Sequence, residues 1–402
     1  MGLANDRDEK NLFGYLAREF ETFDERPIGE VDSLVLSCLS YYRWPGEEVR
    51  GPEGLPVREL FRAESFEAMT QGLWDPEGLV HLLASVAASP RFRDVRVCAY
   101  ADDFDESAEK QFSACTLLLP CGGAYLSFRG TDNTVVGWKE DFNMAFETGV
   151  PSQLAAVSYV ERVAPLIEGP LYLGGHSKGG NLAVCAAARC SARVASRIAR
   201  SFSHDGPGFT EEALADAGWI DRAHLVSKTV PRSSVIGMLF ERQEDYAVVE
   251  SSTSGLMQHN PFSWVVESAD FSYAQGIGRG ASFVDKTLNE WIASMSHKER
   301  EGFVDTLFSV INAGGKDTFG ELGESWQTTV PAMLRELGGL EPAARANITR
   351  ALALLVRTLV PDFELPQLPD LPQFELPDFA ALERRGAAAP EQPADADGAT
   401  RR

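Results

Sequence analysis

The run Leu171-Tyr-Leu-Gly-Gly-His-Ser-Lys-Gly-Gly180 constrains this chain more than any other segment. A short apolar strand at 170–174 enters a turn in which Gly175 and Gly179 stand two residues either side of Ser177, and a small-residue helix follows over 179–192. The pattern is G-x-S-x-G. Alone it is short enough to recur by chance, and its place between a strand and a helix is what makes it informative. In such a turn the serine takes a strained backbone conformation that exposes its hydroxyl at the carboxyl edge of a sheet. Strand and helix nearly touch there, so the residues at Gly175 and Gly179 must lack bulk. The free N–H groups and positive dipole end of the helix favour a nearby oxyanion. Ser177 is therefore expected to be a nucleophile, with Gly175, His176 and Gly179 forming the elbow around it. An idle serine in a glycine-rich turn is the alternative.

The surrounding pattern supports a mostly parallel sheet. Helical spacing is predicted at 31–43 and 76–88, and strands at Val95–Tyr100, Phe112–Leu119 and Ala124–Phe128, the last two joined by a Pro-Cys-Gly-Gly hairpin. A helix at 151–167, the elbow, a strand at Ile198–Ser203, a helix at Thr210–Ala217, a strand near His224–Val230 and a final strand near Tyr246–Glu250 follow. Strands alternating with helices predict an α/β fold whose sheet is covered on both faces. The expected organisation is a lead-in over 1–30, an α/β-hydrolase domain over 31–279, a helical appendage over 280–360 and a Pro-rich tail over 361–402. Pro-punctuated PDFELPQLPDLPQFELPDF (361–379) cannot continue a helix. It reads either as a docking segment for a protein partner or as a semi-extended linker, and 386–402 as disordered.

Charge excludes some functions. At a formal net charge of -22 the surface repels nucleic acid and anionic headgroups. No stretch approaches the roughly 20 apolar residues of a membrane span, and the charged N-terminus lacks a signal peptide's apolar run. Six scattered cysteines without a CxxC pair read as reduced thiols, so a cytoplasmic location is expected. No HExxH, paired-cysteine or Walker pattern is present, which leaves no metal or cofactor to expect.

A nucleophilic serine attacking a carbonyl also needs oxyanion donors. The backbone N–H of Lys178 is one candidate. The other is Thr131, in the loop Arg129-Gly-Thr-Asp-Asn-Thr134 after the strand Ala124–Phe128. The segments YLSFRGTDNTVVGWKEDF and GGHSKGGNLA resemble the class 3 (fungal-type) lipases. That resemblance implies Thr131 as oxyanion donor and Trp138 and Asp141 as residues of a following helix. A closer resemblance, carried by Val31-Asp32-Ser33-Leu34, FRGTD, GHSKGGNLA, Asp205-Gly-Pro-Gly-Phe209 and Gln258-His259, is to uncharacterised bacterial lipase-like proteins of the same hydrolase superfamily. It covers residues 30 to about 265 and carries no substrate.

The serine needs a base, usually a histidine oriented by a carboxylate, in the chain order Ser, acid, His. His81 precedes the sheet, His176 is expected to point away from the serine, His204 adjoins Asp205, His224 starts a strand and His297 lies in the appendage. His259, in a loop after the last predicted strand, fits best. Asp205 opens a rigid Asp-Gly-Pro-Gly turn at a strand end and is the candidate acid, or an ordinary turn former. In class 3 lipases the acid falls one strand later, and Lys228 occupies that place here, so either Asp205 takes the role or the site is a dyad. The expected reaction is cleavage of a carboxylic ester of a lipid or small-molecule acyl group through an acyl-enzyme at Ser177. Met238, Leu239, Phe240, Leu256 and Met257 are candidates for an acyl pocket, or plain core. A vestigial hydrolase-fold scaffold and an amidase or peptidase with the same residues remain as alternatives.

Overall fold

In the computed structural model, side chains alternate across an eight-stranded sheet and each face carries its own hydrophobic core. The structure describes residues 9–278, apart from 106, 108–109, 133–138, 141–142, 145–148, 235, 239–244 and 254, together with short runs and single residues between 299 and 349. The strands lie in chain order: β1 (Leu55–Pro56), β2 (Arg96–Asp105), β3 (Lys110–Leu118), β4 (Ala124–Phe128), β5 (Leu171–His176), β6 (Ile198–His204), β7 (Val226–Pro231) and β8 (Ala247–Val249). The first four pair antiparallel, and β4 to β8 are parallel. On one face Cys115, Leu117, Tyr125 and Phe202 join one core. On the other, Ala114, Leu126, Phe128, Leu171 and Leu173 join the second.

Parallel strands in chain order, joined by right-handed crossovers, place their connecting helices on one face. That face is filled by α4 (Pro151–Val163), α5 (Lys178–Arg189) and α6 (Ala217–Arg222). The small side chains of Ala183, Ala186 and Ala187 let α5 lie close to the sheet. The opposite face has to be covered by chain from elsewhere. Its cover is the start of the sequence: α1 (Leu12–Arg18), α2 (Glu30–Cys38) and α3 (Pro76–Ala88), so that Leu12, Tyr15 and Leu16 are core residues. Every residue of α2 after Glu30 is buried, including Asp32, whose carboxylate accepts from Arg91 Nε at 2.7 Å and Nη2 at 2.7 Å. This sheet, covered by helices on both faces with a nucleophile-type turn after β5, is an α/β-hydrolase fold.

Three local features differ from the expected pattern. β2 runs on to Asp105, past the predicted strand end at Tyr100; Ala99, at φ 49°, lies where the register shifts between Cys98 and Ala101 and the period-2 signal is interrupted. The helix expected at 210–217 is split into Glu211–Leu214 and α6. After β8 come two further strands, β9 (Val266–Glu267) and β10 (Asp270–Phe271), an antiparallel pair too short to show a period. All six cysteines are free. Among the described residues no helix is long and apolar enough to cross a membrane. Most of 280–360, and all of the 361–402 tail, lie outside the described residues.

Candidate active site

β5 ends at His176 and α5 begins at Lys178, leaving Ser177 alone between them at φ 58° and ψ -133°. The strained conformation is held from both sides. Ser177 N donates to His204 O at 2.9 Å, and Gly180 N donates to Ser177 O at 2.9 Å. A Cβ on Gly175 would overlap the backbone of Gly179, and one on Gly179 would overlap the carbonyl of Phe128. The two glycines are thus required by the contact of strand and helix rather than by their own dihedrals.

The next carboxyl edge carries Asp205, directly after β6 and also left-handed at φ 52°, its N–H donating to Thr229 O at 2.7 Å. His259 arrives from the 3-10 turn Gly255–His259, beyond β8. Although the three residues are far apart in the chain, the fold brings them into one row. His259 Nε2 lies 3.0 Å from Ser177 Oγ, and His259 Nδ1 lies 2.6 Å from Asp205 Oδ2. A carboxylate only accepts, so Asp205 draws the proton of a neutral His259 to Nδ1 and leaves the Nε2 lone pair facing the serine hydroxyl. Ser177 is 8% exposed, Asp205 is fully buried, and the His259 side chain is 28% exposed, so the row is closed at its acid end and most open at the imidazole.

Asp205 is held by a turn that sequence reasoning did not find. Its Oδ1 accepts from the Ser234 hydroxyl and from Gly237 N at 3.1 Å. Lys228, in the place where a class 3 lipase carries its acid, donates from Nζ to Gly237 O at 2.7 Å. The ammonium therefore ties down the turn that clamps the carboxylate one strand away.

His176 does not simply turn its back on the site. Its ring centroid is 4.6 Å from that of His259, Nε2 lies 2.9 Å from His259 O, and Nδ1 lies 2.9 Å from Tyr41 Oη. Burial, with the neighbouring His259 ring adding to it, holds His176 well below its usual value, so the ring is neutral. A carbonyl can only accept, so Nε2 carries the proton and the Tyr41 hydroxyl donates to Nδ1. Gln258 is fixed as well: its carbonyl accepts from Trp264 Nε1 at 2.8 Å and its Oε1 from Ser233 N at 2.7 Å. The loop carrying His259 is thus pinned at two successive carbonyls.

Thr131 lies half-buried in the loop after β4. Beside it Asp132 N donates to Gln111 Oε1 at 3.4 Å, and Arg129 Nη2 contacts Asp102 Oδ1 at 3.1 Å. Lys178, whose backbone opens α5, buries its side chain against Gln111 and Glu140. Trp138 and Asp141 lie outside the described residues, as do Leu239 and Phe240 and the side chain of Leu256. Met238 is core, packed with Val230 and Val248, while Met257 is exposed two residues before His259. His204 is not part of the row: buried, it lies 2.8 Å from Ser33 Oγ and 2.7 Å from Thr229 Oγ1. Among the described residues no group of three or more His, Cys, Asp or Glu is placed to hold a metal ion.

No curated protein matches the sequence. Among solved structures, the chain is similar to a fungal lipase–inhibitor complex described as a model for interfacial activation, at 14% identity and TM-score 0.37, over 62% of this chain and 86% of that one. It is similar to M37 lipase at 13% identity and TM-score 0.35, over 53% and 70% of the two chains. It is also similar to the Rhizomucor miehei lipase propeptide complex at 12% identity and TM-score 0.30, over 54% and 73%. The sequence profile of one family matches residues 86–309, more than half of the chain and the whole span from Ser177 to His259. By that match the chain belongs to the Mbeg1-like family.

Proposed function

We propose that this protein is a serine hydrolase that cleaves carboxylic esters of lipid or small-molecule acyl groups through an acyl-enzyme at Ser177. The observation that carries the reading is the row Ser177 Oγ–His259 Nε2 (3.0 Å) and His259 Nδ1–Asp205 Oδ2 (2.6 Å), at the carboxyl edge of a parallel sheet. Both contacts lie in the range a proton transfer needs. His259 Nε2 takes the Ser177 proton as Oγ bonds to the ester carbon, and the C=O pair moves onto oxygen. Collapse of that adduct expels the alkoxide, which leaves as an alcohol with the proton held on His259. Water then enters, and its oxygen bonds to the acyl carbon as His259 takes one of its protons. Collapse breaks the bond to Ser177 Oγ, which receives that proton from His259 as the acid is released. Asp205 accepts from Nδ1 and stabilises the imidazolium. The Lys178 N–H and Thr131 are the proposed oxyanion donors.

A fluorophosphonate probe tests the reading. It is expected to label the wild type at one site, and Ser177→Ala or His259→Ala to abolish labelling. Folded wild type that resists the probe would overturn the reading and leave a hydrolase-fold binding protein. A chain-length series of nitrophenyl esters, run beside anilides, is expected to show ester cleavage; preference for the anilides would move the activity to an amidase.

A further inference from the structure

Lys178 and Glu140 are each 1% exposed, and their side chains meet at 3.2 Å, Lys178 Nζ to Glu140 Oε2. Lys178 Nζ also donates to Gln111 O at 3.0 Å and Gln111 Oε1 at 3.2 Å, so its three N–H bonds find three acceptors. Glu140 is equally engaged. Its Oε2 accepts from Gln111 N at 3.0 Å, and its Oε1 from Ser152 N, in the first turn of α4, at 2.9 Å. Gln111 Oε1 receives in turn the backbone N–H of Asp132, the residue after Thr131. One amine and one carboxylate thereby join four segments: the start of β3, the loop after β4, and the first turns of α4 and α5.

Such a pair is a poor device for stability alone. Desolvating two charges offsets much of their attraction, and apolar residues of similar volume often hold a fold as well or better. Its position suggests another use. The backbone of Lys178 bears one proposed oxyanion donor, and its side chain bonds Gln111 Oε1, which also accepts from Asp132 N in the loop that bears the other. We propose that the Lys178–Glu140 pair, relayed by Gln111, is a positioning device that sets the spacing between the nucleophile turn and loop 129–132, and so between the two halves of the oxyanion site. The inference rests on the reading of Ser177 given above. Oxyanion donors act only when fixed where charge will develop, and a shift of about 1 Å can cost about 100-fold in rate.

The test removes both charges together. Lys178→Met alone strands a buried carboxylate and is expected to lose folded protein. The double variant Lys178→Met/Glu140→Leu leaves no unpaired charge but takes the acceptor from Gln111 N and Ser152 N, so it is expected to fold with a lowered melting temperature. Its kcat on a nitrophenyl ester, and its rate of labelling by a fluorophosphonate, should fall about 10- to 100-fold while KM changes by less than about threefold. A double variant that folds and turns over like the wild type would overturn the proposal, because the pair would then be structural only. Should the double variant not fold, Gln111→Met decides. It keeps both charges and their direct contact, cuts the side-chain link to Asp132 and takes one of three acceptors from Lys178 Nζ. It should lower kcat in the same direction; a wild-type kcat would sink the idea. Failure of the wild type itself to label is a different result, which removes the reading of Ser177 and this inference with it.

Discussion

Ser177 and Asp205 share an unusual property: both are non-glycine residues at positive φ, 58° and 52°, and both sit where a parallel strand ends. Strain of that kind persists only where neighbours over-determine it. For Asp205 the neighbours are Thr229 O, Ser234, Gly237 and His259. Asp205→Asn should keep the fold and lower kcat by about 10³- to 10⁴-fold, since an amide that donates to Nδ1 fixes the wrong tautomer of the imidazole. A steady-state assay on a nitrophenyl ester measures this, and a change below tenfold would point to a dyad. Lys228 acts one step further out, through Gly237 O. Lys228→Met is expected to lower kcat by about tenfold, the scale of one hydrogen bond. Because it works through Asp205, adding it to Asp205→Asn should cost nothing further in kcat. Losses that multiply instead would show that Lys228 has an independent effect.

At the scale of elements, the helices on the two faces are held by different means. α4 to α6 pack largely through apolar contact. The start of the chain, by contrast, is pinned by Arg91, which donates to the Asp32 carboxylate in α2 and to the carbonyls of Glu21 (2.8 Å), Thr22 (2.9 Å) and Arg26 (3.0 Å). Removing Arg91 takes away the closer cation of the buried Asp32 carboxylate and leaves it only Arg26 Nη1, at 3.6 Å, as a charge partner. Arg91→Met should therefore destabilise by about 3–5 kcal/mol, seen as a lower urea midpoint. A loss below about 1 kcal/mol would show that the pair is not what holds these segments. Helix patterning over 31–43 and 76–88 shows in the sequence, because amphipathic spacing is a local property. The partnership of Asp32 with Arg91 does not show there, because a charge inside a helical pattern reads as a solvated face until the fold buries it.

Across the whole molecule, His204 links the two layers above the sheet edge, touching Ser33 of α2 and Thr229 of β7. Burial pushes its ring from the usual 6.5 down to about 3. The unfolded chain thus binds a proton as pH drops below about 6.5, while the folded protein does not until about 3. The sign follows: this contribution to stability is complete above about 6.5 and is lost as pH falls toward 3, by up to about 1.4 kcal/mol per pH unit. His176, also depressed by burial, acts in the same direction. Melting temperatures of wild type and His204→Gln between about pH 4 and pH 8 check this. The variant should be less stable near neutrality and show a shallower acid slope; parallel slopes would remove His204 from the account. The sequence by itself determined what depends on neighbours in the chain: the strand–turn–helix around Ser177, the glycines that let β5 and α5 touch, and the order of strands and helices that makes a parallel sheet. His259 and Asp205 were legible as candidates because strand ends in such a sheet share one edge. Which side chains support them was decided only by the tertiary structure. Tyr41 behind His176, Ser234 and Gly237 on Asp205, Lys228 beneath them, and Gln111 and Glu140 around Lys178 come from segments remote in sequence. Their hydrogen bonds exist only once the sheet has set the distances between those segments, and no local pattern encodes that spacing.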